Sequence, residues 1–357
     1  MQLLLGVSLV LLSGLLPQDD PTSKPEKAPI KVFVLAGQSN MEGKAKVSLL
    51  EFQATQEKSA KRFAHLRDGD GWKVRDDVQV RFLDRKGPLT VGFGSPGCIG
   101  PELEFGRVMG NHFDEPVLII KTAWGGRSLY RDFRPPSAGL PDAATIDGLL
   151  AREKKNRPDA TREEIVARFG RDYRLMLTEV KEALADLPAT FPDARERGHE
   201  LAGFVWFQGW NDMVDETATA EYSTNLAHFI RDTRRDLGVA DLPFVIGQFG
   251  VGGIDATNEK HLRFKGAQAV VAELEDFKDN VALVKTDVFW DRDAQVVFDK
   301  GWRENPEEWA AVGSDRPYHY LGSVKTCCNV GETFGTAVLK LRKSAAKKKK
   351  ASADADR

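Results

Sequence analysis

Five short runs, KVFVLAG, PVLIIKTAWGG, GFVWFQGWND, LPFVIGQFG and NVALVKTD, restrict the possible folds of this chain more than any other feature. Each is nearly unbroken in Val, Ile, Leu and Phe and is too short for a helix, the pattern of strands covered on both faces. The segments PELEFGRVMGNHF, RDYRLMLTEVKEALADL and TNLAHFIRDTRRDL lie between them and carry apolar residues at three- and four-residue intervals, which predicts amphipathic helices. In the second of these, Leu175, Leu177, Val180 and Leu184 mark the expected core stripe. Strands alternating with helices predict a three-layer αβα sandwich around a central parallel five-stranded sheet. Two segments fall outside that plan. VQVRFLDRKGPLTVGFG reads as a hairpin turning near Lys86 and Gly87, and the stretch from Arg131 to about Arg171 reads as a polar insertion of the kind that shapes a binding rim.

The ends of the chain differ from this body. MQLLLGVSLVLLSGLLPQDD holds an apolar stretch, Leu3 to Leu16, of signal-peptide length and short of a membrane span. We expect residues 1–18 to be a cleavable export signal, residues 19–30 a Pro-rich linker, residues 31–342 one folded domain and residues 343–357 a disordered Lys-rich tail. The expected location is therefore secreted or periplasmic, with no stable membrane insertion once the signal is removed. A net charge of -2 gives no global reason to bind nucleic acid. Cys98, Cys327 and Cys328 allow one disulfide with a thiol left over, or no bridge at all. They lack zinc-site spacing, so no metal is expected.

In an open parallel sheet, ligands bind beyond the carboxyl ends of the strands. Gly37-Gln38-Ser39 follows the first strand, with the glycine allowing a tight turn and the serine placed to open a helix. Alone this is a turn or a cap. Three other stretches add matching groups: TAWGG puts Gly125 and Gly126 after the second run, GWND puts Asn211 after the third, and SDRPYHYLGS brings Asp315 close to His319. Serine, histidine, aspartate and several fixed N–H donors make up an acyl-transfer set. The other histidines, His65, His112, His199, His228 and His261, read as surface or packing residues.

These blocks resemble those of the SGNH hydrolases, and LAGQSNMEG with AWGGRSL resembles the sialate O-acetylesterase domain related to carbohydrate esterase family 6. The resemblance spans roughly residues 31–342 and implies a flavodoxin-like SGNH hydrolase fold. It implies Ser39 as nucleophile, His319 as base and Asp315 as its partner, with an oxyanion hole made by the Ser39 amide, Gly126 (or Gly125) and Asn211. The family's last block is usually D-x-x-H, whereas four residues separate Asp315 from His319 here, so Asp287 or a backbone carbonyl is an alternative partner. Gln38, Gln208, Trp210 and Arg127 are candidates to meet substrate, and Arg127, Arg131 and Arg134 could contact an anionic sugar substituent.

The expectation is a serine esterase that removes acetyl groups from carbohydrates without a cofactor. Its rivals are a secreted carbohydrate-binding protein of the same fold and an SGNH esterase acting on other esters. GFGSPG, from Gly92 to Gly97, fits G-x-G-x-x-G, but the next strand ends IIKTAWGG without the acidic residue of a dinucleotide site. Those glycines read instead as a loop passing close to the active-site mouth, before Pro101 starts a helix.

Overall fold

The computed structural model describes residues 27–355, so the expected signal peptide and most of the expected linker lie outside the described residues. All five apolar runs are strands: β1 is Ile30–Gly37, β4 Val117–Ala123, β5 His199–Phe207, β6 Phe244–Gln248 and β7 Val281–Lys285. The hairpin supplies two more, β2 (Arg75–Phe82) and β3 (Arg85–Leu89), and joins the main sheet instead of standing apart. The sheet order is β7-β6-β5-β1-β4-β2-β3, with every neighbouring pair parallel except β2 and β3. The expected five-stranded sheet is therefore seven-stranded. The hairpin turns at Leu83 and Asp84, before Lys86 and Gly87, since Phe82 pairs with Arg85. Its alternating burial, with Val78, Val80 and Phe82 inside, fits a strand near the sheet edge.

Helices cover both faces. On one side lie α2 (Glu102–His112) and α9 (Val324–Ala355), where Phe105 meets Phe33 of β1 and Phe334 meets Phe207 of β5. On the other lie α5 (Arg171–Ala185), α7 (Glu216–Asp236) and α8 (Glu259–Ala272), where Phe229 packs on Trp206 and Phe204, and Tyr222 on Phe264. Adjacent residues of a strand face opposite sides, so Trp206 and Phe207 each fill a different helix layer. In α5 the buried stripe is Tyr173, Met176, Val180 and Ala183, with Leu175, Leu177 and Leu184 only half-buried. The helix is thus rotated from the expected phase, because the aromatic ring of Tyr173 reaches Phe229 in the core.

The insertion holds two helices, α3 (Ala143–Lys154) and α4 (Arg162–Arg168), around a small core of Ile146, Ile165 and Phe169. Thr161 and Glu164 form a capping box that fixes where α4 begins. At the C-terminus, α9 continues through the lysine run to Ala355, where a disordered tail is expected from composition. Alanine and lysine have high helix propensity, so extending an existing helix through them is favourable, and Arg342 anchors it at 2.7 Å from Glu200. Among the described residues no helix is long and apolar enough to cross a membrane, and Cys98, Cys327 and Cys328 are all free thiols.

Candidate active site

The sheet register brings three loops to one rim. Gly37 at the end of β1 pairs with Ala123 at the end of β4 and with Phe207 at the end of β5. The segments starting at Gln38, Trp124 and Gln208 therefore leave the sheet side by side. Gly37 is needed at this junction. Its φ is +153, and a Cβ there would collide with the carbonyl oxygen of Phe207, to which the Gln38 amide donates at 3.3 Å.

Ser39 opens α1 (Ser39–Glu42) and is 5% exposed. Its hydroxyl and backbone N–H have no protein hydrogen-bond partner among the described residues. Below α1 lies a buried ion pair: Lys121 of β4 donates to Glu102 at 2.6 Å and to the carbonyl oxygens of Glu42 and Phe93 at 2.7 Å. Burial pushes the Lys121 ammonium below the usual lysine range against the pull of Glu102. The pair fixes the end of α1 that follows the nucleophile. The glycine loop also packs here, as expected: Ser95 accepts from Lys44 and donates to Glu42, both at 2.6 Å, and Pro101 caps α2.

His319 lies in a one-turn segment, Pro317–Gly322, held by Ser314 and Asp315 amides on the Leu321 carbonyl. Its Nδ1 is 2.9 Å from Asp315 Oδ2, so the longer spacing still brings the carboxylate to the imidazole. Burial raises the Asp315 pKa, but the bonds from His319 and the Arg316 N–H and the charges of His319 and Lys44 outweigh it, leaving the carboxyl below its ordinary value. Asp287 is paired with Lys265 instead. The Asn40 amide donates to the Tyr318 carbonyl at 3.1 Å, which ties the His319 segment to the residue after Ser39. Ser39 and His319 are not hydrogen-bonded to each other. Such contacts are often loose before substrate binds. Tyr320 and Leu321, at φ 52 and 61, are left-handed non-glycine residues, and the buried Tyr320 hydroxyl holds this turn by accepting from the Gly250 amide at 2.8 Å and contacting Thr286 at 2.6 Å.

Gly126 has φ +71 and open space where a Cβ would be, and its N–H has no protein acceptor among the described residues. Gly125 has Glu42 Oε2 3.2 Å from its Cβ position, a carboxylate that would repel an oxyanion. Asn211, in the short helix α6 (Trp210–Met213), opens toward the same rim: its Nδ2 donates to the Gly126 carbonyl at 3.0 Å and its Oδ1 accepts from Gln38 at 3.2 Å. An amide NH2 has two hydrogens, so one remains.

The expected substrate contacts fare differently. Gln38 and Gln208 are 2% and 3% exposed and fully engaged with protein. Gln38 Oε1 accepts from Gln208 at 3.0 Å and from the Gly209 amide at 3.2 Å, while Gln208 donates to the Arg127 carbonyl at 3.0 Å. They build the floor that positions Asn211, with their polar groups taken up by protein partners. Arg127 lies 3.1 Å from buried Asp172, an ion pair without hydrogen-bond alignment. Arg131 pairs with Asp132, and Arg134 is buried on Gly139, Tyr130 and Glu221. Arg127 and Arg134 thus meet carboxylates distant in sequence, whereas Arg131 pairs with its immediate neighbour and stays partly exposed. Of the four, Trp210 and Arg127 are half-buried at the rim, Arg127 beside Asp172.

Asp212, unnoticed in GWND, is fully buried and accepts from the Leu129 and Tyr130 amides at 2.9 and 2.8 Å and from Gln208 at 2.5 Å. It clamps the loop that carries Gly126. Burial pushes its carboxyl up to about 6, against these three donors. A folded-state value above the ordinary one gives stability that is fully present below about pH 4 and lost as pH rises through about 6. In urea titrations, the stability of wild type relative to Asp212→Asn should therefore fall between about pH 4 and 6 and level off above. A pH-independent difference would remove this assignment. Away from this site, a serine–histidine contact, Ser137 Oγ to His228 Nδ1 at 2.7 Å, has no carboxylate on the imidazole among the described residues. Nor is any group of three or more His, Cys, Asp or Glu placed to hold a metal ion among them.

Comparison with known proteins adds an independent line. The model of a family described as carbohydrate esterase, sialic acid-specific acetylesterase, matches residues 29–299. The chain is 23% identical over 260 residues to a "Probable carbohydrate esterase" of Arabidopsis thaliana, covering 72% of this chain and 84% of the relative. A crystal structure of a protein from Arabidopsis thaliana superposes with a TM-score of 0.50 at 17% identity, over 87% of this chain and 98% of that one, in keeping with the α/β fold. A carbohydrate acetylesterase from Xanthomonas citri gives a TM-score of 0.47 at 14% identity, over 86% and 55%. The family match ends before Asp315 and His319, whose arrangement rests on the geometry alone.

Proposed function

Since this chain belongs to the sialic acid-specific acetylesterase family of carbohydrate esterases, and is thereby a carboxylic ester hydrolase, we propose that it is a serine enzyme removing acetyl groups from carbohydrates through an acyl-enzyme. The observation that carries this reading is the 2.9 Å contact between Asp315 and His319 Nδ1, on a segment tied to the residue after Ser39. A carboxylate on Nδ1 keeps the proton there and leaves Nε2 as the base.

In this mechanism His319 Nε2 takes the Ser39 proton as Oγ attacks the acetyl carbonyl carbon. The oxyanion is held by the Ser39 and Gly126 N–H groups and the free hydrogen of the Asn211 amide. The intermediate collapses by breaking the bond to the sugar oxygen, which leaves with the proton from His319. Water then loses a proton to His319, attacks the acetyl-serine, and acetate is released with Ser39 reprotonated. The apolar stretch from Leu3 to Leu16 supports action outside the cytoplasm, in the periplasm or medium.

Acid-quenching the enzyme during turnover of p-nitrophenyl acetate and mapping its peptides should place an acetyl group on the Ser39 peptide. Acetyl found reproducibly on another residue would overturn the assignment. Asn211→Ala should lower kcat about a hundredfold or more, because it removes an oxyanion donor and the hold on the Gly126 carbonyl. Steady-state kinetics with kcat near wild type would remove Asn211 from the hole.

A further inference from the structure

Two of the polar groups in the proposed mechanism have an aromatic residue directly before them in sequence: Trp210 precedes Asn211, and Tyr318 precedes His319. The two rings come from segments more than a hundred residues apart and meet with centroids 5.3 Å apart at 48°. Tyr318 also stands edge-on to the His319 ring at 4.5 Å. Behind Trp210, Phe249 and His261 lie at 6.2 and 6.4 Å, so the indole is backed by other rings. Phe249 is buried, as a packing residue should be. Tyr318 is 37% exposed, and its hydroxyl has no protein partner among the described residues.

An aromatic pair left open beside a catalytic base is not explained by core packing. From this juxtaposition we infer that Tyr318 and Trp210 form a stacking subsite for the apolar C–H face of the pyranose ring whose acetyl group is removed. The subsite rests on the carbohydrate reading above and specifies how the sugar is held. Ring faces attract C–H groups through dispersion and the negative π surface, and they exclude water from one side of the ring. Asn40 and Asn211, whose amides donate to the Tyr318 and Gly126 carbonyls, stand at the two ends of this wall.

The test compares kcat/KM of wild type, Tyr318→Ala and Tyr318→Phe on an acetylated methyl hexopyranoside, p-nitrophenyl acetate and ethyl acetate. Tyr318→Ala should lower the ratio for the sugar ester over ethyl acetate about tenfold, mainly through KM, and Tyr318→Phe should keep it within about twofold. Tyr318→Leu, which keeps apolar volume without a π face, should behave like the alanine variant and covers the case in which alanine fails to fold. A parallel fall on all three esters would overturn the subsite, since it would mean that Tyr318 acts only by placing His319. So would a phenylalanine variant as weak as alanine, or a loss confined to p-nitrophenyl acetate, which would mark an aryl site. Wild type that cleaves ethyl acetate but no acetylated sugar would defeat the carbohydrate reading itself; activity on the sugar with unchanged ratios would defeat the subsite alone.

Discussion

Replacing Ser39 by alanine is expected to lower kcat for acetate release by ~10^5-fold while leaving the urea midpoint close to wild type. The Ser39 hydroxyl makes no protein hydrogen bond among the described residues, so removing Oγ strands no buried partner. Its backbone N–H remains, and with it most of the oxyanion hole, so the residual rate should still exceed that in water. Kinetics on p-nitrophenyl acetate with the purified variant would check this. A rate within tenfold of wild type would move the nucleophile elsewhere, with Ser137 beside His228 as the next serine to test.

Asp315→Asn is expected to cost on the order of 10^4-fold in kcat at neutral pH. The reason lies in the Arg316 amide, which donates to Asp315 Oδ1 at 2.7 Å. In the variant that N–H holds the amide oxygen, so the NH2 group faces His319 Nδ1 and donates to it. The imidazole proton is then forced onto Nε2, where a base must be free. The same carboxyl bears on stability. Its folded-state value is below the ordinary one, so it contributes stability that is present above about pH 4 and is lost as the pH falls through that folded value. Wild type should thus lose stability on acidification that Asp315→Asn lacks, as followed by urea titration. A variant turning over within tenfold of wild type would show that Asp315 does not orient the base.

Local features of this site were legible in the sequence because they depend on short stretches. Five apolar runs became five strands, and GQSN, TAWGG, GWND and SDRPYHY sit at the rim to which strand ends lead. What escaped depends on partners distant in sequence. Arg127 looked free until α5 brought Asp172 to it, and Gln38 and Gln208 looked like pocket residues until each was seen to bind the other. A lysine within the apolar run PVLIIKTA was a signal for a buried partner, and Glu102 is that partner. The hairpin's place in the sheet was missed because its alternating pattern fits either a free hairpin or an edge. The phase of α5 does not follow from its leucines, because Tyr173 and Met176 occupy the buried stripe. At the C-terminus, low complexity and a lysine run predict disorder where alanine and lysine continue a helix.

The turn after His319 has a consequence for anyone rebuilding this enzyme. Two consecutive left-handed residues are each unfavourable by about 1–3 kcal/mol and persist only where surroundings compel them. Here the compulsion comes from Gly250 and Thr286, at the tips of β6 and β7, through the Tyr320 hydroxyl. The SDRPYHYLG segment is therefore not a transplantable cassette: grafted into a scaffold without that anchorage it would relax to ordinary backbone angles and aim its imidazole elsewhere.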